Sequence, residues 1–323
     1  MKRLVSILGI GFGVLALASC NSNETTNKTN VKDDYELKIA CPSGAPILGI
    51  ASAVCDFESS IDTSNIGVDA TVLSGFFNEE ASDIVIAPIN LGCNLYNAGN
   101  STFKFAGVIT AGNTYFASKE EFVLDDIKER DLYLFGNGSI TSFGALYVLN
   151  ENDITPKSLD YVANANVSYS GNNIYMTAEP TLSVAKNSLS QSNETLYSKS
   201  IADLYNEVSS HTLIQAAIFV NPKTIQEHKS LVNQFLTDVS TKDELTKTNV
   251  TKVQKDAKTL GLNLPDAVIS TAIPNSKVEF ISASDSKDDL EFMVEESLRY
   301  EEEGIISKTF FTKAHNDNFY YNI

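Results

Sequence analysis

Residues 127–149 read IKERDLYLFGNGSITSFGALYVL, and the order of patterns within this stretch decides the fold class. An apolar run of strand length (DLYLF) is followed by a glycine turn (GNGSIT) and then by the apolar density of a helix. Residues 83–88 (DIVIAP) predict a second buried strand, which a proline closes, and a short helical pattern follows it. Strands that alternate with helices in this way are typical of an α/β protein.

The alternation continues along the chain from residue 35 onward. We expect strands or extended chain at 36–40, 103–110, 115–118, 166–170, 174–178, 213–220 and 278–282. We expect helices at 47–57, 91–97, 201–208, 221–239, 241–260, 264–272 and 289–303, and a further helix that starts at Thr155 and Pro156. Proline suits the first turn of a helix, because its missing N–H would have no partner there.

The composition describes an acidic chain with enough apolar material for a core. Its 323 residues include 24 Lys and Arg against 41 Asp and Glu, so the formal net charge is −17. This balance excludes a nucleic-acid-binding protein, because binding to polyphosphate requires a dense basic face. Hydrophobic residues make up 43% of the chain, which excludes wholesale disorder. The length allows one large domain or two lobes of about 150 residues each.

The N-terminus has the pattern of a bacterial lipoprotein export signal. Lys2 and Arg3 precede an uncharged apolar run that is too short to span a membrane and that ends in Leu-Ala-Ser-Cys. This tetrapeptide matches the lipobox, in which small residues precede the cleavage site and the cysteine thiol carries diacylglycerol. We therefore expect residues 1–19 to be a signal peptide and Cys20 to be the lipidated N-terminus. The alternative is an ordinary secretory signal with an incidental cysteine.

The segment after Cys20 is polar and contains almost no apolar residue, so residues 20–35 are expected to be a lipidated, flexible tether. Lipid and tether together anchor a globular domain to the outer face of a bacterial cell membrane. Cys41, Cys55 and Cys93 remain, and each lies in an apolar stretch. We interpret them as small buried hydrophobic residues, with one disulfide among them as the alternative, and their spacing does not resemble a zinc site.

In order and spacing, these segments resemble the type II periplasmic-binding-protein fold. The resemblance is to the solute-binding lipoproteins of ABC importers, in the group that serves nitrate, sulfonate, taurine and thiamine precursors. It covers residues 36–323. The segments that carry it are 37–53, 81–88, 127–149, 178–180, 216–222 and 317–321.

The resemblance implies two α/β lobes joined by two crossing strands, which we place near residues 113–118 and 215–220. Lobe 1 is expected at 36–114 plus part of 221–323, and lobe 2 at 119–214. A small solute would bind in the cleft between the lobes, which would close on it by a hinge. The implied partners are the permease and the ATPase of the same importer. The protein is expected to act as a monomer without a cofactor or a metal.

The predicted ligand-binding residues lie on loops that this fold directs into its cleft. Free N–H groups at helix N-termini and Ser or Thr hydroxyls can bind polar solute atoms. Alternatively, Gly44, Gly136 and Gly138 only permit turns, and Ser43 or Thr141 only caps a helix. The predicted residues are Ser43, Gly44, Pro88, Asn90, Asn113, Tyr115, Asn137, Gly138, Ser139, Thr141 and Glu179.

The charged and aromatic residues favour an amine or aromatic solute. The chain has arginines only at positions 3, 130 and 299, outside the predicted cleft loops, and bidentate arginine is the usual ligand of oxyanions. Glu179 could pair with an amine, and Tyr115, Phe116 and Tyr175 could stack on a flat ring. We expect an aminopyrimidine of the thiamine-precursor type. The alternative function is an anion receptor of the sulfonate or nitrate type. The alternative role of Glu179 is a salt-bridged loop carboxylate, and the alternative role of the three aromatic residues is packing in the core.

Two further function classes remain open. A sensor or adhesin lipoprotein without transport fits the anchor and tether equally well. An enzyme of the same fold is the minor alternative, because His211, His228 and His315 have no evident Ser or Cys nucleophile beside them and no HExxH or CxxC motif occurs. We therefore expect no catalytic residue.

Overall fold

Two β-sheets with helices around them make up the described part of the chain. The computed structural model describes residues 34–306 and 310–323, which belong to one compact unit. The predicted signal peptide, Cys20 and nearly all of the predicted tether lie outside the described residues. No helix of the described residues is both long enough and apolar enough to cross a bilayer.

The strands follow the predicted alternation closely. They are β1 (Leu37–Pro42), β2 (Ile61–Val68), β3 (Ile84–Pro88), β4 (Lys104–Thr110), β5 (Thr114–Ser118), β6 (Asp131–Phe135), β7 (Ser158–Val162), β8 (Ile174–Ala178), β9 (Tyr197–Ser200), β10 (Ala216–Val220) and β11 (Val278–Ser282).

The helices lie between the strands and in a longer C-terminal run. They are α1 (Ala45–Cys55), α2 (Ile89–Asn97), α3 (Ile140–Glu151), α4 (Thr181–Gln191), α5 (Ile201–Ser209), α6 (Pro222–Glu227), α7 (Lys229–Lys242), α8 (Leu245–Thr248), α9 (Val250–Thr259), α10 (Asp266–Asn275) and α11 (Lys287–Glu302).

The strands form a six-stranded sheet with the order β11-β4-β10-β3-β1-β2 and a five-stranded sheet with the order β7-β6-β8-β5-β9. In the first sheet β2, β1 and β3 are parallel, whereas β10 and β11 are antiparallel to their neighbours. In the second sheet β7, β6 and β8 are parallel, and β5 is antiparallel to β8 and β9. The chain passes from the first sheet to the second between β4 and β5 and returns between β9 and β10. The predicted division into two lobes stays a prediction.

The central strands are buried on both faces, which explains their continuous apolar sequences. Along β3, Ile84 and Ile86 point to the side of α1 and α7 and belong to one apolar cluster. Val85 and Ala87 point to the other side and belong to a second cluster. This second cluster also contains Phe116 and Leu132 of the five-stranded sheet, α3 residues and α11 residues, so its apolar packing includes both sheets.

The structure corrects several local predictions. The helix expected from Thr155 is wrong, because residues 158–162 form edge strand β7, which pairs with β6 and is supported by a 2.8 Å hydrogen bond from Ser158 Oγ to Asp131 Oδ1. The strand expected at 166–170 is a loop. The helix expected at 241–260 is broken at Asn249, whose φ is −140° and whose side chain accepts from the Lys252 N–H to start α9.

The three described cysteines are free thiols. Cys41 and Cys93 are buried, as expected for small hydrophobic residues. The same prediction is wrong for Cys55, which is exposed at the end of α1 with its Sγ 3.8 Å from the Asp256 carbonyl oxygen.

Candidate functional site

The carboxyl ends of β1 and β3 lie side by side at one edge of the six-stranded sheet. Because these strands are parallel neighbours, Ser43 and Gly44 after β1 lie next to Pro88 at the end of β3, and Asn90 follows in α2. Strand β10 begins at the same edge, where Ala216 pairs with Pro88. Four of the residues predicted to bind a solute therefore occur together.

Two helices begin at this edge without a capping side chain. Gly44 is the N-cap residue of α1, and Pro88 is the N-cap residue of α2. Gly44 has a φ of 112°, a conformation that glycine adopts without steric cost. Ser43 is exposed, and Gly44, Pro88 and Asn90 are half-buried.

The N–H groups in the first turn of a helix have no partner within the helix. Pro46 in the first turn of α1 has no N–H, and the Ile89 N–H at the start of α2 donates to the Gln215 carbonyl oxygen at 3.1 Å. The remaining first-turn N–H groups of the two helices are the donors that could bind a solute.

The five-stranded sheet has a matching edge. Strands β6 and β8 are parallel, with Tyr133 paired to Tyr175. The loop of residues 136–139 follows β6, and Glu179 follows β8. Asn137, Gly138, Ser139 and Glu179 therefore lie at the carboxyl ends of two adjacent parallel strands. Ligands bind at this position in open α/β sheets.

The loop between β6 and α3 is shaped by two glycines and by its own hydroxyl groups. Gly136 and Gly138 have φ values of 70° and 74°. Ser139 Oγ donates to the Gly136 carbonyl oxygen at 2.7 Å, and Ser142 Oγ donates to the same oxygen at 2.8 Å. A Cβ at Gly136 would contact the hydroxyl oxygens of Ser139 and Thr141. The loop conformation therefore requires glycine at position 136.

This loop leaves the start of α3 without a side-chain cap, although Ser139 occupies the N-cap position. Asn137 is exposed, and Gly138, Ser139 and Thr141 are half-buried. The alternative prediction, that Ser43 or Thr141 only caps a helix, is wrong, because the N-cap residues of α1 and α3 are Gly44 and Ser139. Three helices, α1, α2 and α3, thus begin at the two sheet edges with uncapped first turns.

The two edges meet where the chain passes between the sheets. Gln215, which precedes β10, donates its backbone N–H to the Thr110 carbonyl oxygen at 3.0 Å. Its side-chain Oε1 accepts from the Asn113 N–H at 2.8 Å. The two segments in which the chain passes between the sheets are therefore hydrogen-bonded to each other. We call residues 111–113 and Gln215 the link. The sequence did not identify Gln215 as part of the site.

Asn113, Tyr115 and Glu179 differ from the other predicted residues because they are buried, with exposed fractions of 7%, 7% and 3%. Asn113 exchanges two hydrogen bonds with the Glu179 backbone: its Nδ2 donates to the Glu179 carbonyl oxygen at 3.0 Å, and its own carbonyl oxygen accepts from the Glu179 N–H at 2.9 Å. Tyr115 OH donates to the Asn275 carbonyl oxygen at 2.6 Å. We call Asn113, Tyr115, Glu179 and Asn275 the Asn275 cluster.

The Glu179 carboxylate has partners within the chain. Its oxygens accept from the Ser183 N–H at 3.1 Å, from Ser183 Oγ at 3.0 Å and from Asn275 Nδ2 at 3.1 Å. Burial raises the pKa of the Glu179 carboxyl, and the hydrogen bonds from Ser183 and Asn275 oppose that rise. A cationic solute would have to compete with three donors for this carboxylate. The prediction that Glu179 binds a solute stays a prediction.

One acceptor in the cluster has no partner. The Oδ1 oxygen of Asn113 is buried and accepts no hydrogen bond from the described residues. Leaving a buried polar atom unpaired costs about 1 to 3 kcal/mol, so this oxygen is a favourable contact for a donor that reaches it.

The aromatic residues expected to stack on a flat ring are engaged in packing. Phe116 is fully buried in the core. Tyr175 stacks on Tyr133 with a centroid distance of 4.9 Å and receives a hydrogen bond from Asn173 Nδ2 at 3.4 Å. The core interpretation therefore describes Phe116 and Tyr175 better than the stacking interpretation.

Two cavities and the contact between His211 and Asp289 lie away from the predicted solute-binding residues. Cavities of about 360 Å³ and 430 Å³ share the loop at 166–168, next to α4 and to the Tyr133 ring respectively. Within residues 34–306 and 310–323, no group of three His, Cys, Asp or Glu side chains is arranged to hold a metal ion. His211 contacts Asp289 at 2.9 Å and stacks on Phe292.

Comparison with known proteins identifies the fold. No protein-family model and no curated protein matches the sequence. The chain is similar to the solved structure of an ABC transporter from Parabacteroides distasonis, with 19% identity over 90% of this chain and 99% of that chain and a TM-score of 0.70.

Two further solved structures agree. The periplasmic aliphatic sulphonate binding protein SsuA from Escherichia coli has 12% identity over 89% of this chain and 96% of its own, with a TM-score of 0.62. The zinc-bound ligand binding component of an ABC-type import system from Staphylococcus aureus has 12% identity over the same shares, with a TM-score of 0.60. These similarities confirm the periplasmic-binding-protein fold that the sequence predicts.

Proposed function

We propose that the protein is the solute-binding lipoprotein of an ABC importer. It captures a small molecule between the facing sheet edges and delivers it to the permease and ATPase of the same importer. It works as a monomer on the extracytoplasmic face of the cell membrane, where lipid on Cys20 anchors it. The fold supports this assignment, because solved structures with this fold include a binding component of an ABC import system, and the lipobox supports the anchor.

The observation that carries the proposal is the set of three uncapped helix starts. The first turns of α1, α2 and α3 lie at the two sheet edges, and no side chain caps them. Because first-turn N–H groups need acceptors, the site favours a solute that presents acceptor atoms to these helices.

For the solute itself, we propose a small heterocycle of the aminopyrimidine type. Its ring nitrogens accept from the helix starts, and its amino group donates to a site that contains the unpaired Asn113 Oδ1. The described arginines support a solute that is not an oxyanion. Arg130 bonds to the Glu121 carbonyl oxygen, and Arg299 binds Glu151, Glu296 and Glu303, so neither lies at the sheet edges.

A sulfonate is the second candidate, and the same helix starts favour it. The positive end of a helix dipole stabilises an anion, and two of the solved structures similar to this chain are described as sulfonate-binding proteins. The two candidates differ in donors, because a simple alkanesulfonate such as ethanesulfonate has no N–H to offer Asn113 Oδ1.

Thermal unfolding with added solutes tests the proposal. A ligand that binds only the folded state stabilises it by about 2.7 kcal/mol at a concentration of about 100 times the Kd. We expect the melting temperature of the purified protein to rise with aminopyrimidine and not with ethanesulfonate or nitrate. A rise with ethanesulfonate alone would select the second candidate. No rise with any vitamin, amine, amino acid or oxyanion would contradict a transport receptor and favour a sensor or adhesin.

A further inference from the structure

Asn275 is the last residue of α10 and belongs to the part of the chain that surrounds the six-stranded sheet. Ala272 and Ile273 of the same helix lie in the apolar cluster that also contains β1, β3 and α1 residues. The backbone after Asn275 continues directly into β11 of that sheet. The position of Asn275 is therefore fixed relative to the six-stranded sheet.

Both partners of Asn275 lie in a strand of the five-stranded sheet or directly after one. Its Nδ2 donates to Glu179 Oε1 at 3.1 Å, next to the end of β8. Its carbonyl oxygen accepts from Tyr115 OH on β5 at 2.6 Å. A single residue thus holds two adjacent strands of the opposite sheet, close to the link between the sheets.

These contacts join the buried side chains of Glu179 and Tyr115 to the half-buried Asn275, so they are partly shielded from water. Glu179 is 3% exposed, and without Asn275 its carboxylate would keep only the donors of Ser183. A hydrogen bond to a buried carboxylate is stronger than one between neutral groups, so the pairing with Asn275 favours one arrangement of the two sheets over others.

The residues around Asn275 support the same connection. The Lys277 carbonyl oxygen accepts from the Ala111 N–H in the link at 2.9 Å. Lys277 Nζ lies 2.8 Å from Asp203 Oδ1 on α5, which packs on the five-stranded sheet. The exposed ion pair contributes little to stability, but together these contacts place the α10–β11 turn between both sheets.

We propose that Asn275 is a positioning residue that sets the orientation of the five-stranded sheet relative to the six-stranded sheet. It thereby sets the spacing between the strand ends that hold the solute. The consequence for solute binding rests on the proposed function, whereas the orientation of the sheets does not.

The test measures the orientation directly and needs no solute. Spin labels are attached through Thr63→Cys on edge strand β2 and Asp160→Cys on edge strand β7, both exposed positions. The background carries Cys20→Ser and Cys55→Ser, since Cys41 and Cys93 are buried. Pulsed electron resonance then gives the distance distribution between the two sheets in the full-length chain.

We expect Asn275→Ala and Tyr115→Phe each to shift or broaden this distance distribution. Glu179→Ala should do the same, whereas Glu179→Gln should restore the original distribution, because its amide oxygen still accepts from Asn275. The matched control is Asn152→Ala, which removes an asparagine bond to the Val148 carbonyl oxygen within α3 and its cap.

An unchanged distribution in Asn275→Ala and Tyr115→Phe would overturn the proposal, even if both variants unfold at lower urea concentration. Equal broadening in Asn152→Ala would overturn it too, because the effect would then not be specific to the Asn275 cluster. If the distances change as expected while no solute raises the melting temperature, the proposed function fails and the positioning role stands.

Discussion

Gly136 is the residue on which the shape of the loop before α3 depends. Its φ of 70° is unfavourable for residues with a Cβ, and the space that a Cβ would need is occupied by the Ser139 and Thr141 hydroxyls. Gly171 has a similar φ of 54° but no atom within 4 Å of the Cβ position. Replacing either glycine by alanine would therefore strain the backbone, but only the change at Gly136 would also displace neighbouring side chains.

We expect Gly136→Ala to weaken binding of the solute that raises the melting temperature by about tenfold or more, equivalent to about 1.4 kcal/mol. Displaced hydroxyls would change the direction of the first-turn N–H groups of α3. Isothermal titration of both variants measures the effect, with Gly171→Ala as the control. Equal affinity of the two variants would show that this loop does not contact the solute.

Asp83 is a second residue whose single carboxylate joins distant parts of the chain. Its oxygens accept from Tyr35 OH at 2.9 Å, from the Lys38 N–H at 2.8 Å and from Thr224 Oγ1. These donors lie before β1, on β1 and on α6. We expect Asp83→Ala to lower the free energy of unfolding by about 3 kcal/mol, because three donors, of which Thr224 is buried, lose a buried carboxylate acceptor. Urea unfolding measures it, and Asp62→Ala, whose carboxylate accepts from the nearby Ser64 N–H at 2.9 Å, should cost much less.

At the scale of the elements, the end of α7 contains an unfavourable carboxylate. Asp243 is the C-cap residue of α7, where the helix dipole opposes a negative charge. Burial raises its pKa from 3.8 to about 6, and the negative charges of Glu279 and Glu244 add to the rise. Because the folded pKa lies above the unfolded value, this group favours the folded state at low pH. The contribution is lost as the pH rises through about 6.

Replacing this carboxylate should therefore change the pH dependence of stability. We expect Asp243→Asn to unfold at higher urea concentration than the unmodified protein at about pH 8, with a smaller difference at about pH 4. Asp238→Asn on the same helix is the control, because the Asn oxygen still accepts from Gln234. A difference that is constant across this pH range would contradict the assignment.

The sequence predicts the buried elements well because their patterns are local. The apolar runs at 84–88 and 216–220 and the strand and glycine turn at 131–138 lie close to where they were expected. Prediction from the sequence fails where contacts between distant residues determine the secondary structure. Segment β7, for example, is a strand because it pairs with β6. Helix α4 lies in a polar segment with little periodicity, and its start depends on Glu179 bonding to Ser183.

The candidate site shows the same division. Residues at the ends of predicted strands, such as Ser43 and Pro88, follow from the alternation of elements alone. Gln215 and Asn275 have no local signal, because their importance comes from bonds to Asn113 and Glu179, which lie about 100 residues away in each case. The sequence predicts Glu179 as a carboxylate of the candidate site, but it has no local signal for the hydrogen bonds that Ser183 and Asn275 donate to this carboxylate.

At the scale of the whole molecule, one apolar cluster contains residues of both sheets. Phe143 of α3 is fully buried and contacts Tyr205 of α5, Tyr300 of α11 and Phe310. Phe219 of β10 belongs to the same cluster. Because neither sheet can separate without exposing this cluster, we expect the two sheets to unfold in one transition.

Hydrogen exchange at low denaturant measures this cooperativity. The slowest amides of β3 and of β6 should exchange with the same free energy of opening, and Phe143→Ala should lower both by about 3 to 5 kcal/mol. Phe57→Ala, at a half-buried ring packed against Phe235 in the other cluster, is the comparison for a site near one sheet only. Two different free energies for the unmodified protein would show that the sheets unfold independently.

The link described above also determines how motion is amplified. Strand β2 lies three strands from β10, and β7 lies three strands from β5, so each outer strand is about 14 Å from the place where the chain passes between the sheets. A rotation about that place moves the two outer strands by similar amounts, and by more than it moves any strand nearer the axis. A membrane partner that contacted both β2 and β7 would therefore meet the largest displacement that a small rotation of one sheet relative to the other can produce.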